Sequence, residues 1–244
     1  MRTPTESRGG DESPVGLQRL AMKARTGAGC RPPPEPLDEL LDSWVSPKLR
    51  ATVGPKWAKT MGMEFFCYHR DRPGSVALRD ELLEQHWAYM DQYAKKMIAR
   101  GPPFAGDGDT PTGSVHIVDL PDPGAARAFA FDEPNYQAGA YRDVLLRRWR
   151  NTLRRTMWDF PGGRAGGNRY LVLGLGTGQA ADLAVPPHQD ELIAYGPLLS
   201  DDETTWLGTA ALIRAPDPDT ARAILTPGPY AGIEVHNWQF GGRP

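Results

Sequence analysis

The spacing of apolar positions divides the chain into a quiet first quarter and two patterned stretches. Met63 to His69 (MEFFCYH) is aromatic-rich and predicts a strand, and RDRPGS after it predicts a turn. From Val76 to Ala99 there is neither Gly nor Pro. Leu78, Leu82, Leu83, His86, Met90, Tyr93 and Met97 fall on or near one helical face there, which predicts one long helix. Gly and Pro in RGPPFAGDGDTPTG break it, with room for a short strand and a hairpin loop. GSVHIVDL predicts a β-branched strand, and Pro-Asp-Pro starts a helix running through Phe131. DEPNYQAG reads as a loop and YRDVLLRRWR as a last strand. The order β-α-β-β-α-β is that of the ferredoxin-like split unit.

The second stretch repeats the first. LPDPGAARAFA at 120–130 returns as APDPDTARAIL at 215–225. Asp122-Pro123 and Asp217-Pro218 are 95 residues apart, and the pairs Gly101-Pro102/Gly196-Pro197 and Gly113/Gly208 keep that offset. A fixed internal period in only two copies points to a duplicated small domain. RYLVLGLG, TAALIRA and GIEVHNWQF supply the strands of the second copy, and DPDTARAIL its helix. Tyr170 matches Phe65 at an offset of 105, so this copy has lost 10 residues around its first helix. The expected organisation is a disordered tail at 1–35, a short helix and linker at 36–62, a first unit at 63–150, a linker at 151–167 and a degenerate second unit at 168–244. The fold class is α+β, with the two units covering one another's sheets as an intrachain pseudo-dimer. EPLDELLDSW places Leu37, Leu40, Leu41 and Trp44 at helical spacing, and a helical run is expected from Asn151.

Composition narrows the functional classes. The net charge of −2 makes no global electrostatic case for nucleic acid or an anionic membrane. The two cysteines, Cys30 and Cys67, exclude a disulfide framework or a CxxC metal knuckle. No run approaches a membrane span and no signal-peptide h-region is present, so a cytoplasmic protein is expected. YLVLGLGTGQAA at 170–181 has the look of a glycine-rich methyltransferase or dinucleotide loop. Only 66 residues follow Gly178, too few to finish a doubly wound sheet. RDVLLRRWRNTLRRTMW carries six Arg and two Trp, but it begins on an alternating strand and reads as a solvated face with core Trp.

The landmarks of the first unit resemble the YciI-like (YCII-related) family of the dimeric α+β barrel superfamily. They are DRPG at 71–74, Arg79, His86, GP at 101–102, Gly113, DP at 122–123 and DEPNYQAG at 132–139. The resemblance implies a His–Asp pair in a pocket. Characterised relatives include a dehydrochlorinase, and the wider superfamily includes muconolactone isomerases and cofactor-free oxygenases. His86 matches the family histidine by its distance before GP. Glu133 stands directly before Pro134, where the family usually has Asp, and Asp132 is one residue earlier; either is a candidate partner.

A His near neutral pKa, tied to a carboxylate, can take and return protons at pH 7. This chemistry suits a lyase, isomerase or cyclase acting on a carbonyl- or hydroxyl-bearing, aromatic metabolite without metal or cofactor; the competing reading is a non-catalytic ligand-binding or accessory protein. The pocket is expected to be lined by Trp87, Tyr89 and Tyr136, with Arg79, two turns before His86, binding a substrate anion or closing a salt bridge. A seven-residue deletion in the second copy's first helix would align His188 with His86, making it a second candidate. His69, His116 and His236 lack metal-ligand spacing and are expected to be buried or rim histidines. Beyond a small-molecule substrate, no nucleic-acid or membrane partner is expected, and the chain is a monomeric pseudo-dimer or a homodimer. Deleting residues 1–35 is expected to leave the melting temperature nearly unchanged; a large drop in a thermal scan would show that they are docked.

Overall fold

In this computed structural model, which describes residues 62–176, 186 and 189–243, strand pairing organises everything else. The first half runs β1 (Met63–Asp71), α1 (Val76–Glu81), α2 (Leu83–Asp91), β2 (Met97–Gly101), β3 (Pro103–Phe104), β4 (Gly113–Leu120), α3 (Pro123–Phe131), α4 (Pro134–Gln137) and β5 (Tyr141–Trp149). The second half runs β6 (Arg169–Gly176), β7 (Leu192–Leu199), β8 (Trp206–Arg214), α5 (Pro218–Ala223) and β9 (Tyr230–Trp238). All nine strands belong to one antiparallel sheet in the order β2-β4-β1-β5-β7-β8-β6-β9-β3. Its two ends, β2 and β3, are separated along the chain by Pro102 alone, so the sheet closes on itself.

The two junctions are alike. β3 pairs with β9 through Pro103↔Trp238 and Phe104↔Asn237, and β7 pairs with β5 through Leu198↔Trp149 and Leu199↔Arg148. Backbone bonds extend each crossing: Gln239 N–H donates to Pro102 O at 3.2 Å, and Arg150 N–H to Pro197 O at 3.3 Å. The glycine landmarks have a steric cause here. A Cβ on Gly101 would lie 1.9 Å from Gln239 O, and one on Gly196 would lie 1.9 Å from Arg150 O. Likewise, a Cβ on Gly113 would meet His69 O at 2.2 Å, and one on Gly208 would meet Gly174 O at 2.1 Å. The repeated Asp-Pro starts a helix twice. Asp122 and Asp217 are N-caps whose carboxylates accept from Ala125 N–H at 2.8 Å and Thr220 N–H at 2.7 Å, with Pro at the first helical position.

Alternation along the strands sorts side chains into two layers. Phe66 and Tyr68 of β1 and Leu171 and Leu173 of β6 point to the inside of the closed sheet, where Trp149, Leu198, Leu212 and Trp238 join them. Phe65 and Cys67 face outward under α2 and α3, against Met90, Val118, Ala126 and Phe129. Tyr170 and Val172 do the same beneath α5 with Ala221 and Leu225. Each large side chain so buried contributes roughly 1.5–3 kcal/mol.

Three expectations need correction. The helix predicted over 76–99 breaks at Leu82 (φ −93°, ψ 5°) and ends at Asp91, and Met97–Gly101 is a strand. Met97 satisfies either period, and pairing with β4 buries it, together with Ile98 and Ala99, on both faces at once. The loop at 132–139 contains α4, because Glu133 caps it and Pro134 occupies its first position. No helix starts at Asn151; Arg154 has a positive φ of 54°, and only a short 3-10 turn forms at Met157–Asp159. The tail at 1–35 and the helix around Leu37–Trp44 lie outside the described residues. No helix among those described is long and apolar enough to cross a membrane. Gly196→Ala is expected to lower stability by about 1–3 kcal/mol in urea unfolding, since backbone stands where the methyl must go. Gly106→Ala, with open space around it, is the neutral control.

Candidate functional site

A buried carboxylate beneath a helix defines the site. α4 starts at Glu133, whose carboxylate caps the turn by accepting Tyr136 N–H on Oε2 at 2.9 Å. That cap fixes Oε1, which accepts Asn135 Nδ2 at 3.1 Å and His86 Nδ1 at 2.6 Å. Glu133 is completely buried. Burial alone would raise its pKa, but the bond and charge of His86, the field of His69 and the Tyr136 N–H outweigh it and leave the carboxyl below its ordinary value. His86 comes from the middle of α2. With Nδ1–H committed to the carboxylate, Nε2 is the imidazole's free nitrogen.

Asp132 is not the partner: it ends α3 and is exposed. One residue separates the two candidates in sequence, and the capping geometry chooses between them.

His86 lines a cavity of about 280 Å³ between α1–α2, strands β2 and β4, and the segment 239–242 that follows β9. Trp87 lines it too, with the Arg243 guanidinium 5.4 Å above its ring. Arg79 reaches the cavity but is already engaged, with Asp71 at 2.6 Å, Ser114 Oγ at 2.9 Å and Gly113 O at 3.1 Å. It ties α1 to the β1 end and to β4, which makes it a positioning group. Tyr89 and Tyr136 do not line the cavity, contrary to expectation. The Tyr89 hydroxyl donates to Ala128 O and Phe129 O, both at 3.2 Å, turning its ring onto Phe129. Tyr136 lies on the surface against Phe131. His188 lies outside the described residues.

Sequence reasoning left Asn135 and Arg100 unassigned and expected His116 only as a buried or rim histidine, and buried it is. His116 of β4 sits under His86, with ring centroids 5.9 Å apart, and lines the same cavity. Burial first, then the fields of His86 and His69, hold its pKa well below the usual imidazole value, so it is neutral. Asn135 steadies Glu133, and Arg100 enters from β2. The signal for His116 was its register: it is the β4 partner of Cys67, which faces the helices. His69, also on that face, is buried and donates Nε2–H to Ala130 O at 2.8 Å, a structural role. His236 bonds Glu234 at 3.1 Å, in a different cleft.

The fold is thus of the mixed α/β class, with a large antiparallel sheet and a helix-borne His–carboxylate pair. Residues 63–150 match the YCII-related domain, and they carry His86 and Glu133. An uncharacterised protein of Haemophilus influenzae is 29% identical over 92 residues, which are 35% of this chain and 94% of that protein. Among solved structures, the 5-chloro-2-hydroxyhydroquinone dehydrochlorinase of Burkholderia phenoliruptrix AC1100, in complex with 2,5-dihydroxybenzoquinone, is 29% identical. It covers 38% of this chain and 99% of its own, with a TM-score of 0.36. A candidate monooxygenase from Lactobacillus acidophilus NCFM is 9% identical, covering 74% of this chain and 97% of its own with a TM-score of 0.39.

The depressed Glu133 pKa has a definite pH signature. Its stabilisation is complete above the unfolded carboxylate value, about 4.3, and is lost as pH falls through the lower folded value. Urea unfolding from pH 6 down to pH 3 is expected to show a steeper loss in the wild type than in Glu133→Gln. Equal slopes would mean that the carboxylate is not preferentially ionised in the folded state.

Proposed function

We propose that the protein is a small-molecule enzyme in which His86 moves a proton and Glu133 holds and charges it. The observation that carries this reading is the 2.6 Å bond between a fully buried carboxylate and Nδ1 of His86, a residue that lines the cavity. An ionised Glu133 fixes the Nδ1–H tautomer, leaving the Nε2 lone pair to accept a proton. The imidazolium that results is stabilised by the same carboxylate. A base of this kind removes a proton next to a carbonyl or from a phenol and returns it elsewhere. The reaction class is accordingly a lyase, isomerase or cyclase, and Trp87 and Leu83 supply an apolar face for a ring.

The site is built within a duplicated ferredoxin-like unit, with copies at 63–150 and 168–244 joined by 151–167 and packed as an intrachain pseudo-dimer. The matched crossings at Gly101 and Gly196, the matched close approaches at Gly113 and Gly208, and the matched caps Asp122 and Asp217 support this reading. The second copy donates a wall of the first copy's cavity through 239–242.

The test needs no prior substrate. Single-ring hydroxy and keto compounds are incubated with the protein in D2O, and exchange of carbon-bound hydrogen is followed by NMR. Exchange catalysed by the wild type is expected to fall by roughly 10²–10⁴-fold in His86→Asn and to fall substantially in Glu133→Gln. Asp132→Asn is expected to behave as wild type. Exchange undiminished in His86→Asn would sink the mechanism and favour a ligand-binding role.

A further inference from the structure

We infer that Arg100 and His116 form an anion-binding subsite in this cavity and that the ligand is a small carboxylate, its carboxylate held by the Arg100 guanidinium. The assignment rests on the reading of the cavity as the ligand site, but not on the proton chemistry of His86.

Arg100 and His116 are direct partners across β2 and β4. Side chains directly opposite one another in an antiparallel pair lie on the same face, about 4.5–5.5 Å apart at Cβ. Both line the cavity. Arg100 is half-buried, and among the described residues no carboxylate or carbonyl accepts from its guanidinium. Its Nε is buried without any hydrogen-bond partner. The other cation there, Arg79, is already neutralised by Asp71. Asp91, whose field reaches Arg100, is paired with Arg243 at 3.2 Å. An unpaired, partly desolvated guanidinium is costly unless something else supplies the charge. Gly242, which also lines the cavity, packs against it: a Cβ there would lie 2.4 Å from Nη2.

His116 adds a directional contact. Its Nδ1 is buried where nothing accepts or donates to it. An N–H left there would lose a full hydrogen bond, so the neutral ring carries its proton on Nε2, the opposite nitrogen. Burial lowers the pKa of His116 and also that of Arg100, the latter against the field of Asp91. A neutral N–H donor beside one fork-shaped cation suits a planar, singly charged carboxylate. A phosphate dianion would need more positive charge than one free guanidinium supplies, and Asp80 is also at the wall. A cavity of about 280 Å³ holds a single-ring molecule.

The experiment is calorimetric titration of the full chain with benzoate, salicylate and phenylacetate, each set against its primary amide, and with phenyl phosphate. At least one carboxylate is expected to bind about tenfold or more tightly than its amide. Arg100→Met is expected to remove that preference, weakening the carboxylate roughly 10–100-fold while leaving the amide unchanged. Arg100→Lys, which keeps the charge without the fork, retains part of it, and equal melting temperatures certify both folds. His86→Asn keeps the preference, which separates this assignment from the proton-transfer reading: carboxylate selectivity in a protein that catalyses no exchange leaves the subsite standing. No carboxylate preferred over its amide, or a preference that survives in Arg100→Met, overturns it. Phenyl phosphate binding tighter than every carboxylate overturns the ligand class.

Discussion

The structure depends on one stretch of backbone being shared. Residues 97–104 pair with β4 along their first part and with β9 along their last, and at Gly101, beside the changeover, a Cβ would meet Gln239 O. Closure of the sheet follows from this, and so does an enclosed core fed by both halves. The same crossing sets Arg100 next to His116 and brings the backbone at Gly241 onto Arg100 O at 2.9 Å. The cavity is in this sense a by-product of how the sheet closes.

Within that frame the electrostatics are layered by depth. Glu133 is the deepest charge and is tied by three donors. His86 stands between it and the cavity. Two further histidines, His116 and His69, lie beneath, and burial is the largest influence lowering the pKa of each. Cys67, beside His69, has its thiol pushed up by burial and then by Glu133, so it stays protonated.

How much of this was legible varies with the range of the interactions involved. Most strands were readable because alternation and β-branching are local, and the DP helices because Asp and Pro act on their own turn. His86 was readable from its place before Gly101-Pro102. The choice of Glu133 over Asp132 was not, because capping of a four-residue helix decides it and that helix was read as a loop. Met97–Gly101 was misassigned because its apolar residues fit both periods, and only pairing with β4 settles the matter. Tyr89 was expected in the pocket, yet its hydroxyl follows two carbonyls at the end of α3 instead. Arg100 carried no signal in the sequence, since its lack of a carboxylate partner among the described residues depends on Asp91 being taken by Arg243.

The wall formed by Gln239, Phe240, Gly241 and Gly242 has a consequence for how this protein can diversify. The His86–Glu133 pair and this wall lie between 106 and 156 residues apart in the chain. Substitutions at the far wall can alter which molecules fit without touching the bonds that hold Glu133. The shape of the cavity and the pair at its wall can therefore vary separately in one polypeptide, whereas in a symmetric assembly of identical subunits every change of wall would appear twice.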